Sequence, residues 1–488
     1  MSRDRSPGAE SSNASCDIAV IGAGPAGLAA AAAAASFGLD VALIDEQPLP
    51  GGQIYRAIAA ASTRRDLPGA DTSRGERLVD AMQRSSARWL PATTVWSIVA
   101  DGDAFELGLS HAGQSRILRA RQVIVATGAQ ERPFPIPGWT LPGVMTAGAA
   151  QILLKSNGLV PDVPTVLAGT GPLLYLLAAQ YVASGARIDY LLDTTSPARR
   201  QPVGTMLDFV RSPYLAKGWA VLRAARKSTR FITGVTHLKA SGNGKLEHIA
   251  YTRNGRDAVI PAGLLLLHQG VIPALNLSSA SGCAQHWDAQ QCCFVPTLDA
   301  WGASSIAGIT IAGDAAGIAG ARAAEARGIL AAHTAASALG RIHSTERDAS
   351  VSHSLREIER WTRGRRFIDM RFTPPEQFRI PSGDTIVCRC EEVTAQQVID
   401  TVKLGCTGPN QMKAFLRCGM GPCQGRLCGL TITELIAQQR GVTPADTGYY
   451  RLRFPVKPIT LGELASMPRD DAARDAVVRV GANRIEQE

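Results

Sequence analysis

Aromatic residues are scarce in this 488-residue chain, 5% of the total, and no basic stripe is interleaved with the few there are. That removes the stacking platforms and phosphate-tracking surfaces on which nucleic-acid binding rests. Long apolar runs are missing as well. Nothing reaches the roughly 18 uninterrupted apolar residues that suggest a membrane span, and the alanine run Ala29–Ala35 falls far short. Met1–Ser15 is polar, without the apolar stretch of a secretory signal, so a cytoplasmic setting is expected. In that setting the ten cysteines are expected to be thiols or metal ligands rather than disulfides. Charge is sparse too: 19% of residues are charged, and the net +9 reads as an Arg-rich, solvated exterior.

What remains is a chain with 45% hydrophobic residues and 48 glycines. Its length suits about three domains at roughly 150 residues each. Runs of small residues suit an α/β architecture with helices packed closely on a sheet. Asp17–Gly22 reads as a buried strand, followed by Gly22-Ala23-Gly24-Pro25-Ala26-Gly27, a helix to about Ser36 and a strand Val41–Asp45. Gly22, Gly24 and Gly27 form a G-x-G-x-x-G turn between strand and helix. There the backbone can approach a pyrophosphate, and the helix N-terminus offers it free N–H groups. An acid is expected about 20 residues on to take the ribose hydroxyls, and Asp45 stands there with Glu46 beside it.

The unit is duplicated. Thr165–Gly169 is a strand, Gly169-Thr170-Gly171 a second glycine turn, Tyr175–Ser184 a helix and Ile188–Asp193 a strand. Leu174 replaces the third glycine, and Leu192 stands where Asp45 stands in the first unit, with the acid one place later at Asp193. Gly169 and Gly171 thus mark a possible second nucleotide site, either a working NAD(P)H pocket or a retained fold that holds nothing or another nucleotide.

Downstream, Thr310-Ile311-Ala312-Gly313-Asp314 ends a late strand and opens a small-residue helix expected over Ala315–Ala332. This resembles the second FAD fingerprint of the two-dinucleotide-domain flavoproteins. The resemblance implies that Asp314 holds the ribityl chain and that the helix start beside Gly313 faces the flavin phosphate. Gly51-Gly52-Gln53 with Arg56 resembles that family's flavin loop, and Ala126-Thr127-Gly128 its crossover strand. FAD is therefore the expected cofactor, with Gly52, Gln53, Arg56, Thr127 and Gly128 among its contacts. Disulfide-reductase chemistry is set aside. The cysteines before residue 388 offer only the adjacent Cys292-Cys293, a poor geometry for an ordinary disulfide. Cys16, Cys283, Cys292 and Cys293 are read as buried small hydrophobes.

Six cysteines crowd into Cys388–Cys428. Cys388-Arg389-Cys390 ends a strand-like run, and Thr394 with Gln397 makes a capping box for the next helix. Cys418, Cys423 and Cys428 follow within a glycine-rich loop. Two close thiol pairs suit a four-thiolate site, zinc or an iron–sulfur cluster. The spacing resembles the bacterioferritin-associated-ferredoxin-like [2Fe-2S] domain. The unit Gly419-Met420-Gly421-Pro422-Cys423-Gln424-Gly425-Arg426-Leu427-Cys428 resembles the C-terminal module of anaerobic glycerol-3-phosphate dehydrogenase and of opine-oxidase-type subunits. On that resemblance Cys388, Cys390, Cys423 and Cys428 are the ligands, with Cys418 the alternative for one of the last two and Cys406 structural.

Taken together, the chain resembles the α subunits of opine oxidases, D-hydroxyproline dehydrogenases and cyanide-forming glycine dehydrogenases. Residues that carry this include Gly51–Arg56, Ala126–Pro133, His268-Gln269-Gly270 and Pro458–Leu464. The fold so implied is α/β, with two Rossmann-like dinucleotide-binding domains, the FAD domain discontinuous, plus a small α-rich [2Fe-2S] domain. The expected division is a disordered tail 1–16, an FAD domain 17–140 and 271–340, and a second nucleotide-binding-like domain 141–270. A linker or docking segment 341–382, the [2Fe-2S] domain 383–445 and a tail 446–488 complete it. The resemblance also implies a heteromeric complex. A D-amino-acid-dehydrogenase-like FAD β subunit would oxidise a C–N bond, and there is room for a small third subunit. No residue here is expected to act on substrate; His268 reads either as a flavin neighbour or as a hydrogen-bonded core histidine.

Overall fold

The computed structural model describes residues 14–58, 67, 71–196, 201–227 and 229–467. The first nucleotide unit forms as its pattern requires. Strand Ala14–Ile21 runs parallel to both Val41–Ile44 and Gln114–Val125, and Ile309–Ile311 adds to the latter. The strand begins at Ala14, inside the segment 1–16 expected to be a tail. Pairing of Ala14, Ser15 and Cys16 with Leu118, Arg119 and Ala120 draws those residues into the sheet. The rest of that expected tail lies outside the described residues.

Helix Pro25–Ser36 is buried along most of its length because helix Ala321–Ala338 lies over it. Small residues permit the crossing: a side-chain carbon on Gly328 would stand 2.1 Å from the carbonyl oxygen of Ala26. That second helix begins later than the pattern suggested. Gly313–Ala316 forms a single 3-10 turn, and the α-helix starts only at Ala321. The Asp314 carboxylate accepts the N–H groups of Ala319 and Gly320 at 2.9 Å each and holds the intervening loop out of helical register.

The second domain is a five-stranded parallel sheet, in the order Arg230–Thr233, Tyr190–Asp193, Thr165–Thr170, Leu264–Gln269 and Val144–Thr146. A three-stranded antiparallel sheet (Val235–Ser241, His248–Arg253, Arg256–Pro261) packs beside it. Segment 341–382 folds into short helices rather than a free linker. Phe378 is buried in the second domain's core, edge-on to Phe134 with ring centroids 5.4 Å apart.

The cysteine module holds a small hairpin (Ile386–Cys388 with Val393–Thr394) and helices Ala395–Lys403, Pro409–Leu416 and Gly429–Arg440. The capping box of Thr394 and Gln397 is present. Its core reaches beyond the expected boundary at 445, because Tyr450 and Leu452 are buried among its cysteines and aliphatic side chains. The chain then returns to the flavin domain. Val456 donates its N–H to the Trp96 carbonyl at 3.0 Å, and the Ser466 hydroxyl accepts from the Ser115 N–H at 2.9 Å.

Candidate flavin and iron–sulfur sites

At the first glycine turn the strands come too close for side chains. A Cβ on Gly22 would lie 2.4 Å from the Ala126 carbonyl oxygen, and one on Gly52 2.7 Å from the Gly24 Cα. Both glycines have positive φ, so backbone shape and space demand the same residue. Gly24 caps helix Pro25–Ser36 with no side chain in the way, and Pro25 gives up an N–H that would have had no helical partner. Asp45 accepts from the Ala23 N–H at 2.5 Å and the Gln47 N–H at 2.8 Å. Burial raises its pKa, and those two N–H groups oppose the shift. Glu46 turns outward and pairs with Lys457 of the C-terminal segment.

Arg56 donates to Gln47 Oε1 at 2.8 Å and to Gln53 Oε1 at 3.3 Å, while its Nε is buried without a protein partner. Beside a glycine cradle, a guanidinium with an unmet donor suits a polyanionic dinucleotide. Lys155, from the helix Ala147–Asn157 of the second domain, reaches across to the carbonyls of Gln53 and Ile54 at 3.1 and 3.2 Å. Thr127 donates to the Ala274 carbonyl at 3.2 Å, and Gly128 accepts from the Ala274 N–H at 3.0 Å. Gly313 stands against Ala26, so the two fingerprints converge on one place.

The second turn is built alike and filled differently. Register places Gly169 opposite His268, as it leads Gly22 to Ala126 in the first unit. Where the flavin unit has alanine, the second unit has an imidazole, with His268 Nε2 2.9 Å from the place of a Cβ on Gly171. His268 Nδ1 lies 2.6 Å from Glu131 Oε1, and Glu131 Oε2 accepts the Gly148 N–H at 2.8 Å. Leu174, in the place of the third glycine, is fully buried in the domain core. The Asp193 carboxylate accepts from the Tyr175 hydroxyl at 2.7 Å and the Thr195 N–H at 2.8 Å.

In the cysteine module Cys388 adjoins Cys418 and Cys428, and Cys390 adjoins Cys423. The Cys418 and Cys428 thiols hold Cys388 well below the ordinary thiol range, helped by the Glu391 and Gly419 amides. Among the described residues no three His, Cys, Asp or Glu side chains converge as on a single ion. Thiols grouped in this way suit either a [2Fe-2S] cluster or a tetrahedral zinc. The four expected ligands thus come together, with Cys418 at the same corner as Cys428. Cys406 stands apart, its thiol 3.5 Å from the Gly408 carbonyl. Tyr450, which no sequence motif marked, fills the space over Gly419 and Gly425 and places its hydroxyl 3.8 Å from Cys428 Sγ.

The two sites are joined. Gln130 donates to the Arg426 carbonyl and Asn276 to the Gln424 carbonyl, each at 3.0 Å, so the flavin domain grips the loop between Cys423 and Cys428.

Comparison with known proteins places this arrangement. Residues 16–338 match the family model "Pyridine nucleotide-disulphide oxidoreductase", and residues 386–438 match "BFD-like [2Fe-2S] binding domain". The opine oxidase A-subunit of Agrobacterium tumefaciens is 47% identical, over 94% of this chain and 93% of its own. The chain belongs to the opine oxidase A-subunit family. The hydrogen cyanide synthase subunit HcnB of Pseudomonas aeruginosa is 31% identical to this family member, over 90% of this chain and 96% of its own. The fold is that of the L-proline dehydrogenase from P. horikoshii, with a TM-score of 0.68 over 93% of this chain and 80% of that one at 19% identity. This member of the opine oxidase A-subunit family is therefore an FAD-dependent oxidoreductase with a [2Fe-2S] domain. Among its described residues no helix is long and apolar enough to cross a membrane.

Proposed function

We propose that this chain is the electron-transfer subunit of a heteromeric dehydrogenase for secondary amines of the opine or amino-acid type. A D-amino-acid-dehydrogenase-like companion flavoprotein breaks the substrate's C–N bond, and this chain conducts the electrons away. Relatives named as subunits of larger enzymes support the reading. The observation that carries it is the pair of hydrogen bonds from Gln130 and Asn276 to the loop between Cys423 and Cys428. Thr127 and Gln130 lie on one short segment, so the chain that lines the flavin site also holds the cluster loop.

FAD accepts electrons in pairs and can release them singly, which suits a cluster that takes one at a time. The protein's part is position and polarity. Gly22, Gly24 and Gly27 open the turn, Asp45 receives ribose hydroxyls, and Asp314 with Gly313 faces the ribityl phosphate. Gly52, Gln53 and Arg56 close the pocket from the loop side, with Thr127 and Gly128 opposite, and Lys155 fixes that loop to the second domain. Cys388, Cys390, Cys423 and Cys428 hold the cluster, and the Glu391, Gly419 and Cys423 amides donate to its sulfur ligands.

Two measurements test this. Dithionite-reduced protein should give the EPR signal of a [2Fe-2S] cluster, with flavin released on denaturation. Protein isolated from its host with its companion should reduce an artificial dye when given an opine or secondary amine, and this chain alone should not. Activity of the isolated chain on amines would overturn the division of labour.

A further inference from the structure

Between strands Tyr190–Asp193 and Arg230–Thr233 the second domain carries two consecutive helices, Val203–Val210 and Tyr214–Ala225. Val203, Met206, Leu207 and Val210 recur at the spacing of one helical face, the stripe a globular helix turns to its core. Here it faces water. Val203 is 74% exposed, and Met206, Leu207 and Val210 are about half exposed. Leu215 and Trp219, one turn apart on the next helix, extend the patch, with Trp219 64% exposed. Together they present on the order of 600 Å² of apolar surface, the upper end for a protein needing no partner.

The inner sides of the helices are anchored. Phe209 stacks on Phe367 at 4.5 Å, and the Tyr214 hydroxyl lies 3.2 Å from the Ala319 carbonyl and 2.8 Å from that of Trp361. Ala319 and Gly320 are the residues whose N–H groups bind Asp314. The helices that carry the patch therefore stand beside the second flavin fingerprint.

Its rim is basic. From Val203 to Lys227 the sole acid is Asp208, against Arg211, Lys217, Arg223, Arg226 and Lys227. The Arg223 guanidinium lies over the Trp219 ring, 5.4 Å from its centroid. An exposed Trp with an Arg guanidinium over its ring, beside an apolar stripe, is the composition of an interface hot spot.

We infer that this two-helix face seats the companion subunit, through an apolar surface with an acidic rim on that partner. The inference rests on the heteromeric reading above and adds where the partner binds. A second copy of this chain fits poorly, because a two-fold contact would set one basic segment against another.

The test uses the complex isolated from its host through a tag on this chain, with the companion identified by mass and by amine-dependent dye reduction. The variant Val210→Glu/Trp219→Glu should retain its FAD and iron yet carry about tenfold less companion and dye-reducing activity, as loss of two anchors implies. Raising salt should release the wild-type companion. Hydrogen exchange on the wild-type complex should show amides of 203–227 slowed relative to the free chain, a readout independent of any variant. Unchanged companion binding by the variant, with no slowing in 203–227, overturns the location and leaves the complex standing. Self-dimers that the variant breaks, or attachment of the wild-type face to phosphatidylserine vesicles instead of the companion, overturn it in favour of those occupants. Isolation of wild-type chain with no amine-oxidising subunit overturns the complex and the docking face together.

Discussion

Gln130 donates its side-chain amide to the main-chain carbonyl of Arg426 at 3.0 Å, across 296 positions of sequence. One polar contact thus ties the flavin strand to the cluster loop. Gln130→Ala should lower stability by about 1 kcal/mol, the usual worth of a hydrogen bond. More telling, reduction of the cluster after rapid reduction of the flavin should slow several-fold in stopped flow, with the EPR spectrum kept. Wild-type transfer in the variant would show that the contact is structural only.

Single Cys→Ser substitutions should sort the five clustered thiols. Cys388→Ser, Cys390→Ser, Cys423→Ser and Cys428→Ser should each lose the cluster, read as iron per flavin and EPR amplitude. Cys418→Ser should keep it, although its side chain lies against Cys388 and is fully buried. Loss of iron in Cys418→Ser with retention in Cys428→Ser would exchange their roles.

Lys155 gives a pH signature. Burial pushes its ammonium down to about 8, and the Arg56 charge adds to the shift. Between that pH and the ordinary lysine value of 10.5 the unfolded chain holds a proton that the folded chain has shed. Stability therefore rises with pH through that window, by at most about 3 kcal/mol from this group. Urea titrations at several pH values should show the rise in the wild type and its absence in Lys155→Met. The variant should also bind flavin more weakly, because the carbonyls of Gln53 and Ile54 lose their donor. Parallel pH profiles would remove Lys155 as the cause.

The imidazole at the second glycine turn bears on the remaining nucleotide question. With His268 leaning over Gly171 and Asp193 bonded to Tyr175 and Thr195, neither NADH nor NADPH should bleach the flavin on anaerobic mixing. Rapid bleaching by either would restore the chain as a self-sufficient reductase.

The parts of this molecule legible in sequence are those governed by short-range geometry. Gly22, Gly169 and Gly171 announce turns that favour glycine, and Thr394 with Gln397 announces a helix start. Local signals failed where a side chain outside the pattern intervened. The late start of the helix at Ala321 depends on Asp314 taking two amides, and the module's edge at Leu452 depends on Tyr450 packing among thiols. Helices Val203–Val210 and Tyr214–Ala225 carried no motif, and their apolar stripe gains meaning only from facing outward.

By itself the sequence marked a phosphate cradle and a thiolate-rich module, because each is written in short spacings that the backbone enforces; FAD and [2Fe-2S] followed from the resemblance those motifs carry. Tertiary structure alone decided that the two centres share a wall, that His268 leans over the second turn, and that the helices beside the Asp314 loop turn an apolar face outward. Each of those is a meeting of residues far apart in the chain. Such meetings follow from how whole sheets and helices pack, which no local pattern encodes.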